Sequence, residues 1–460
     1  MRRPASPPER PSAAWAWGST PRPSGSEAGW SVCGLPSVAR RHSSRRPHMK
    51  RHVIIGNSGA AISAVQAIRS VNQKDEIVLI SKEDCPAYSP VLTTYYLSGR
   101  IPYEGMFICD EAFYREHGVE TILGVKAVEV DPHTGQVALA DGRRVEYDDL
   151  LVATGSSTDV PDLPGRDLPG VFTLYTAEEA RRLWEAARGA ERVAIVGAGL
   201  IGIQAMDALW QRGKRVILIE VEDQLMPKVL DREGAKILQT HLEEQGIEIH
   251  LRDTAARIEG GEEKRLVLTS GGQVEAEVVL LATGVRPNVD LLAGSGVKVD
   301  EGALVDEGCR TSVEGIYAAG DVAQGPDPVT GEQQVVATWL NAVEQGRVAG
   351  LNMAGVKATH QRGVRANLVT PAGLPVFTAG WVAEGVGLEP AASALKRNGH
   401  YRKLLFADNA LVGAVLVGEV DEAGLLLNYI ERGTMPARLR EELQHRSAFA
   451  LQARVLSTRL

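Results

Sequence analysis

The chain has 460 residues, 44% of them hydrophobic and 23% charged, with a net charge of −8. That composition belongs to a globular protein of about three domains at ~150 residues each. Apolar runs such as Val278 to Ala282 fall far short of the ~18–20 residues of a membrane-spanning helix. The 4 cysteines are too few for a disulfide scaffold.

Residues 1–48 differ from the rest. They hold 8 of the 23 prolines, 9 serines and 8 arginines against only Glu9 and Glu27. No hydrophobic periodicity runs through them, so they cannot bury enough apolar surface to offset their ordering entropy. A disordered extension is expected, with Met49 as the natural beginning. An organelle transit peptide is the alternative, whereas a secretory signal is excluded because Pro4, Pro7 and Pro8 replace the apolar stretch it needs. The extension carries +8 − 2 = +6, which leaves −14 for residues 49–460. So acidic a body argues against binding a nucleic-acid backbone and suits a cytoplasmic enzyme.

The pattern then alternates between strand and helix. His52–Ile55 is a short apolar strand that stops at Gly56, Gly59 to Arg69 reads as a helix, and Glu76–Ile80 as the next strand. This βαβ unit predicts a parallel sheet. The same grammar returns at Val193–Val196, Gly199–Gln211 and Arg215–Glu220, 141 residues after the first unit when counted from Gly56 to Gly197. Each unit also has an echo. DLLVATG at 149–155 and VVLLATG at 278–284 are apolar strands ending in the same Ala-Thr-Gly turn, with Thr154, Gly155 and Gly284 at the bends. Two similar nucleotide-binding domains follow from that repetition.

The second unit carries a full G-x-G-x-x-G between strand and helix. Gly197 permits the tight turn, Gly199 lets backbone approach a pyrophosphate, and Gly202 lets helix and strand pack closely. Phosphate would sit on the unpaired N–H groups of the helix start. Glu220 ends the second strand 23 residues after Gly197. A carboxylate there accepts from both ribose hydroxyls and repels a 2′-phosphate, which predicts NADH over NADPH. The first unit is less regular: Ser58 stands at the second glycine position and Ala61 at the third, and Glu83 trails the strand end at Ser81. Alone it fits a dinucleotide site or a plain βα turn.

A fifth motif, YAAGD at 317–321, joins GNSGAA at 56–61, ATG at 153–155, GAGLIG at 197–202 and ATGVRPN at 282–288. In this order they resemble the FAD-dependent pyridine nucleotide–disulfide oxidoreductase superfamily, from about Met49 to Asn352. The resemblance implies an α/β fold with two Rossmann-like domains, for FAD and NAD, and a small α+β C-terminal domain. It implies that Gly56, Ser58 and Gly59 hold the FAD pyrophosphate and that Glu83 meets its ribose. Gly320 and Asp321 would meet the ribityl or phosphate oxygens. The segment from Ala337 and Thr338 to Gly346 would be a helix whose N-terminus faces the flavin and stabilises negative charge on the reduced ring.

The thiols of that superfamily are missing. Cys33, Cys85, Cys109 and Cys309 contain no closely spaced pair, and YSPVLTTYY at 88–96 has no cysteine where single-cysteine members place theirs. Cys85 and Cys109 are expected to be buried free thiols. PAYSPVL at 86–92 resembles the rubredoxin, ferredoxin and nitrite reductase branch, although Pro90 and Thr94 stand where that branch has a basic residue. The function implied is hydride transfer from NADH to FAD, then electron transfer to a redox protein or an iron–sulfur partner subunit. No protein acid or base is needed for the hydride step, only near-attack placement at roughly 3–3.5 Å. The expected boundaries are 49–160 with 286–365 for FAD, 161–285 for NAD, and 366–460 for an interface domain that forms a homodimer or hetero-oligomer. A stand-alone NADH oxidase and a redox-responsive NADH-binding scaffold are the alternatives.

Overall fold

The first strand, β1 (Arg51–Ile55), sends its side chains alternately to two apolar clusters: Val53 and Ile55 to one, Ile54 to the other. A strand buried on both faces belongs inside a parallel sheet. The chain continues as α1 (Gly59–Val71), β2 (Glu76–Ile80), α2 (Thr93–Ser98), β3 (Val119–Ile122) and β4 (Asp149–Val152). β1 lies between β2 and β4 in parallel register, with Ile54 opposite Leu79 and Leu151. The structure is a computed structural model. It describes residues 49–443 except 262, 328–330, 361–362, 383–390, 398–399, 408–409, 437–438 and 441–442. The expected extension 1–48 and Cys33 lie outside the described residues.

The second unit repeats the first. β5 (Val171–Phe172), α3 (Ala177–Ala187), β6 (Arg192–Val196), α4 (Leu200–Gln211), β7 (Arg215–Glu220), α5 (Arg232–Glu244), β8 (Glu248–Leu251) and β9 (Val278–Leu281) follow in chain order. They form a parallel sheet in the order β8-β7-β6-β9-β5. Between β3 and β4, and again between β8 and β9, the chain makes a three-stranded antiparallel excursion before returning beside the first strand of its sheet. This shared detour is why the two Ala-Thr-Gly echoes stand so far from their glycine motifs.

After β9 the chain crosses back. β10 (Ile316–Ala318) pairs with β4 and completes the first sheet as β10-β4-β1-β2-β3. α6 (Trp339–Met353) then packs along α1. Last come β11 (Ala366–Val369), β12 (Val376–Gly380), β13 (Ala391–Arg397), β14 (His400–Ala407), β15 (Ala410–Val417) and α7 (Ala423–Arg432). Their antiparallel sheet has the order β11-β12-β15-β14-β13, and Leu426 and Ile430 of α7 are buried against it. Asp231, the N-cap of α5, joins that sheet to the second one. Its carboxylate accepts from the Gly234 N–H, from the Tyr401 hydroxyl at 2.6 Å and from Lys403 Nζ at 3.0 Å. The α/β fold read from the sequence is the observed one. Its helices differ only at their ends, with α1 running on to Val71 and α4 starting at Leu200 after Gly199 as N-cap.

Candidate functional site

A cavity of about 500 Å³ opens where the ends of β1, β2 and β4 meet α1 and α6. Gly56, Ser58, Gly59 and Glu83 line it, as do Thr154, Gly155, Gly320, Asp321 and Thr338. Five turns distant in sequence are thus brought to one place.

Each turn is shaped by a close approach. Gly56 has φ +126°, and a Cβ there would stand 2.0 Å from the Ala153 carbonyl oxygen, so only glycine lets the first and fourth strands end together. Gly59 lies under the Trp339 ring, 2.9 Å from where its Cβ would be. The Ala-Thr-Gly turn is tied to the Pro287-Asn288 segment: Thr154 Oγ1 donates to the Asn288 carbonyl at 2.8 Å, and Asn288 Nδ2 donates back to the Thr154 carbonyl at 2.9 Å. Gln345 of α6 accepts the Gly320 N–H at 2.8 Å, which sets the Gly-Asp turn.

The starts of the two glycine-motif helices differ from those of α3, α5 and α6. Thr176, Asp231 and Thr338 cap α3, α5 and α6 with their side chains. Ser58 and Gly199, the N-caps of α1 and α4, supply no side-chain cap. The Ser58 hydroxyl instead donates to the Tyr88 carbonyl at 2.9 Å. Serine at this glycine position therefore turns its side chain aside and leaves the helix N–H groups to an outside anion.

The second glycine motif adjoins the cavity. Gly197, Gly199, Gly202, Glu220 and Gly284 lie outside its lining, while Leu200, Ile201 and Gln204 from the first turns of α4 lie inside it. Gly197 has φ +105°, and its Cβ would meet the Ala282 carbonyl at 2.2 Å. A Cβ at Gly202 would meet the Gly197 carbonyl at 2.0 Å, whereas around Gly199 nothing lies within 4 Å. The first two close the turn and the third leaves room beside it, a cradle fitted to a pyrophosphate. Glu220 is buried and accepts the Ala198 N–H at 2.6 Å and the Glu222 N–H at 3.0 Å. These bonds leave lone pairs on both oxygens for ribose hydroxyls.

Glu83 accepts the Tyr88 hydroxyl at 3.1 Å on each oxygen. Burial raises its carboxyl above the ordinary range, and the Tyr88 bond opposes that. Asp321 is raised by burial too, against a 2.6 Å bond from the Tyr175 hydroxyl. Sequence reasoning missed Tyr88 and Tyr175 as partners, because nothing in their spacing marks them. It also missed the cations of the lining, Lys82, Lys126 and Arg286. Thr94 stands at the junction of the two units, with Oγ1 3.4 Å from Gln204 Oε1.

None of the three described cysteines lines the cavity, and all are free. Cys309 is buried, and burial raises its thiol to about 12. Cys85 and Cys109, expected to be buried, are only half-buried, since each sits in a loop flanking β2 or α2 and not in a strand. Burial and the nearby Glu83 and Asp84 still raise the Cys85 thiol to about 11. Such thiols are protonated near neutrality and poor nucleophiles.

Residues 50–346 match the family described as pyridine nucleotide-disulphide oxidoreductase. The chain belongs to this family. Residues 367–434 match the rubredoxin NAD+ reductase C-terminal domain, which places the chain in the rubredoxin reductase-like branch of the pyridine nucleotide-disulphide oxidoreductases. It is 36% identical over 317 residues to the NADH oxidase of Methanocaldococcus jannaschii, covering 67% of this chain and 71% of that one. It is 32% identical over 390 residues to the NADH-dependent phenylglyoxylate dehydrogenase subunit epsilon of Aromatoleum evansii, covering 84% and 92%. The NAD-dependent persulfide reductase from A. fulgidus superposes with a TM-score of 0.79 at 28% identity, over 86% of this chain and 79% of that one. As a pyridine nucleotide-disulphide oxidoreductase the chain is an FAD- and NAD(H)-dependent oxidoreductase, and the uncapped starts of α1 and α4 fit two pyrophosphates. Among the described residues, no helix is long and apolar enough to cross a membrane.

Proposed function

We propose that this chain is a cytoplasmic NADH:acceptor reductase that passes electrons to a redox protein or an iron–sulfur partner subunit. FAD, when bound, takes a hydride as two electrons and can release them singly. Gly56, Ser58 and Gly59 would hold its pyrophosphate at the start of α1, Glu83 its adenosine ribose, and Thr154, Gly155, Gly320 and Asp321 its ribityl side. Thr338 and α6 would present a helix N-terminus to the ring. Gly197, Gly199, Gly202, Glu220 and Gly284 would hold NADH. The corresponding domains are 49–160 with 286–365, 161–285, and 366–460 as an interface domain for a homodimer or a hetero-oligomer.

The observation that carries this reading is the composition of the cavity wall. Residues of both glycine-motif helices share it, and none of the three described cysteines does. Electrons therefore have no thiol to rest on between nucleotide and acceptor. The name of the A. evansii relative makes it one subunit of an NADH-dependent dehydrogenase, and this chain covers 92% of it, which favours a partner subunit here.

Purified protein should be yellow, and anaerobic NADH should bleach it. Alkylating its thiols beforehand should leave turnover with an artificial acceptor unchanged. Native affinity purification should bring down an iron–sulfur protein. Absorbance that survives excess NADH would refute the reductase reading. The likeness to the M. jannaschii NADH oxidase supports a second reading, which rapid oxygen consumption without any partner would establish in place of the first. A scaffold would stall after one reduction.

A further inference from the structure

Tyr175 belongs by position to the second unit. It follows β5, which pairs with β9, and precedes Thr176, the N-cap of α3. Its hydroxyl nevertheless reaches the first sheet. It donates to Asp321 Oδ2 at 2.6 Å and lies beside Ser156, whose own hydroxyl donates to the Asp321 carbonyl at 3.2 Å. Ser156 follows the Ala-Thr-Gly turn directly, and Asp321 closes the Gly-Asp turn. Ser156 thus ties the turn after β4 to the Asp321 backbone, while a phenol carried by a segment anchored in the other sheet holds the Asp321 carboxylate.

Among the described residues, no other side chain bonds the Asp321 carboxylate. A carboxylate offers about four lone-pair positions, so Oδ1 is left without a protein donor in a wall of the cavity. An unheld aspartate there would be free to rotate and would lose orientation entropy on meeting a ligand. Burial raises the Tyr175 hydroxyl well above its ordinary range, so the phenol remains the donor throughout the neutral range.

We propose that Tyr175 is a positioning residue for FAD, holding the Asp321 carboxylate in one orientation so that its free oxygen accepts from the ribityl hydroxyls. This rests on the reading of the cavity as the FAD site. It also makes the hold on FAD depend on where the segment before α3 sits, because the phenol is carried by that segment.

The test is a double-mutant cycle on the full chain with Tyr175→Phe and Asp321→Asn, read as the FAD dissociation constant by titration of apo-protein and as the thermal midpoint of the apo-protein. Tyr175→Phe should weaken FAD about tenfold, the size of one hydrogen bond to a charged group, with the apo-protein midpoint unchanged. The double variant should bind FAD no more weakly than Asp321→Asn alone, because the two act as one unit. Ser156→Ala, which leaves the Tyr175 donation in place, should lose less than Tyr175→Phe. Wild-type affinity in Tyr175→Phe, or additive losses in the double variant, would overturn the proposal. Full FAD affinity in Asp321→Asn would overturn the assignment of the cavity itself, an outcome distinct from silence in Tyr175→Phe alone.

Discussion

Gly346 in α6 rests directly on Ala60 in α1: a Cβ at Gly346 would stand 2.1 Å from the Ala60 carbonyl oxygen. One turn and a little later Gly350 repeats the contact, 2.5 Å from the Ala64 carbonyl. α6 also carries Gln345, which accepts the Gly320 N–H, and Trp339, which covers Gly59. The crossing of two helices thus fixes three walls of the cavity at once.

Gly346→Ala should push α6 off α1. Overpacking a well-filled site costs about 1–3 kcal/mol, and here the obstacle is backbone, which cannot rotate away. The expected outcome is a lower unfolding midpoint together with FAD lost on gel filtration. A variant that keeps both its midpoint and its FAD would show that the helices have slack the structure does not display.

Gly199 and Gly202 separate function from folding within one motif. Gly199 has φ −70° and open space around it, so a side chain there is not strained. Gly202 faces the Gly197 carbonyl at 2.0 Å from its would-be Cβ. Gly199→Val should fold with an unchanged midpoint but raise KM for NADH at least about tenfold by filling the space of the pyrophosphate. Gly202→Ala should instead lower the midpoint, by the same order of overpacking cost. Steady-state kinetics and thermal unfolding on both variants check the crossover, and equal effects on either measurement would count against it.

Much of this was legible in the sequence because the motifs are backbone requirements. A strand that must end beside another strand needs a glycine at 56 and at 197, and the second glycine motif keeps the full pattern. The parallel sheets followed from apolar runs separated by helix-length spacing. What escaped was side-chain pairing across long separations. Tyr175 meets Asp321 across 146 residues and Asp231 meets Tyr401 across 170, and no local pattern encodes either. Cys85 and Cys109 were misjudged for a related reason. Thiols are usually buried, but these lie in loops, where burial is set by tertiary packing.

Glu220 should govern the choice of nucleotide. Its carboxylate is held by the Ala198 and Glu222 N–H groups, and Glu222 and Asp223 follow with the same sign of charge. A 2′-phosphate would meet that charge at close range. Wild-type protein should prefer NADH to NADPH. Glu220→Gln should reduce kcat/KM for NADH by about tenfold to a hundredfold, the worth of a hydrogen bond to a charged group at ~1.5–3 kcal/mol, and NADPH should suffer less. A preference ratio that does not move would remove Glu220 from the nucleotide site.

The far end of the first sheet should contribute to the acid response. Asp149 opens β4 beside His52, which is fully buried between Asp149 Oδ2 at 3.3 Å and Asp75 Oδ2 at 3.1 Å, and Lys50 Nζ lies 2.9 Å from Asp149. Burial alone would raise the Asp149 carboxyl, but the close His52 ring and the hydrogen bond from Lys50 outweigh it and hold the group below its ordinary value. A carboxyl depressed in the folded state binds fewer protons there than in the unfolded chain, so it makes stability rise with pH. Its contribution is complete above the ordinary carboxylate range, near pH 4, and is lost as pH falls through the depressed value. Asp149→Asn should therefore be less stable than wild type at pH 7, with the gap closing toward pH 3. Urea midpoints measured at both pH values decide this: a gap as wide at pH 3 as at pH 7 would mean that packing, and not the charge on Asp149, holds this corner of the sheet.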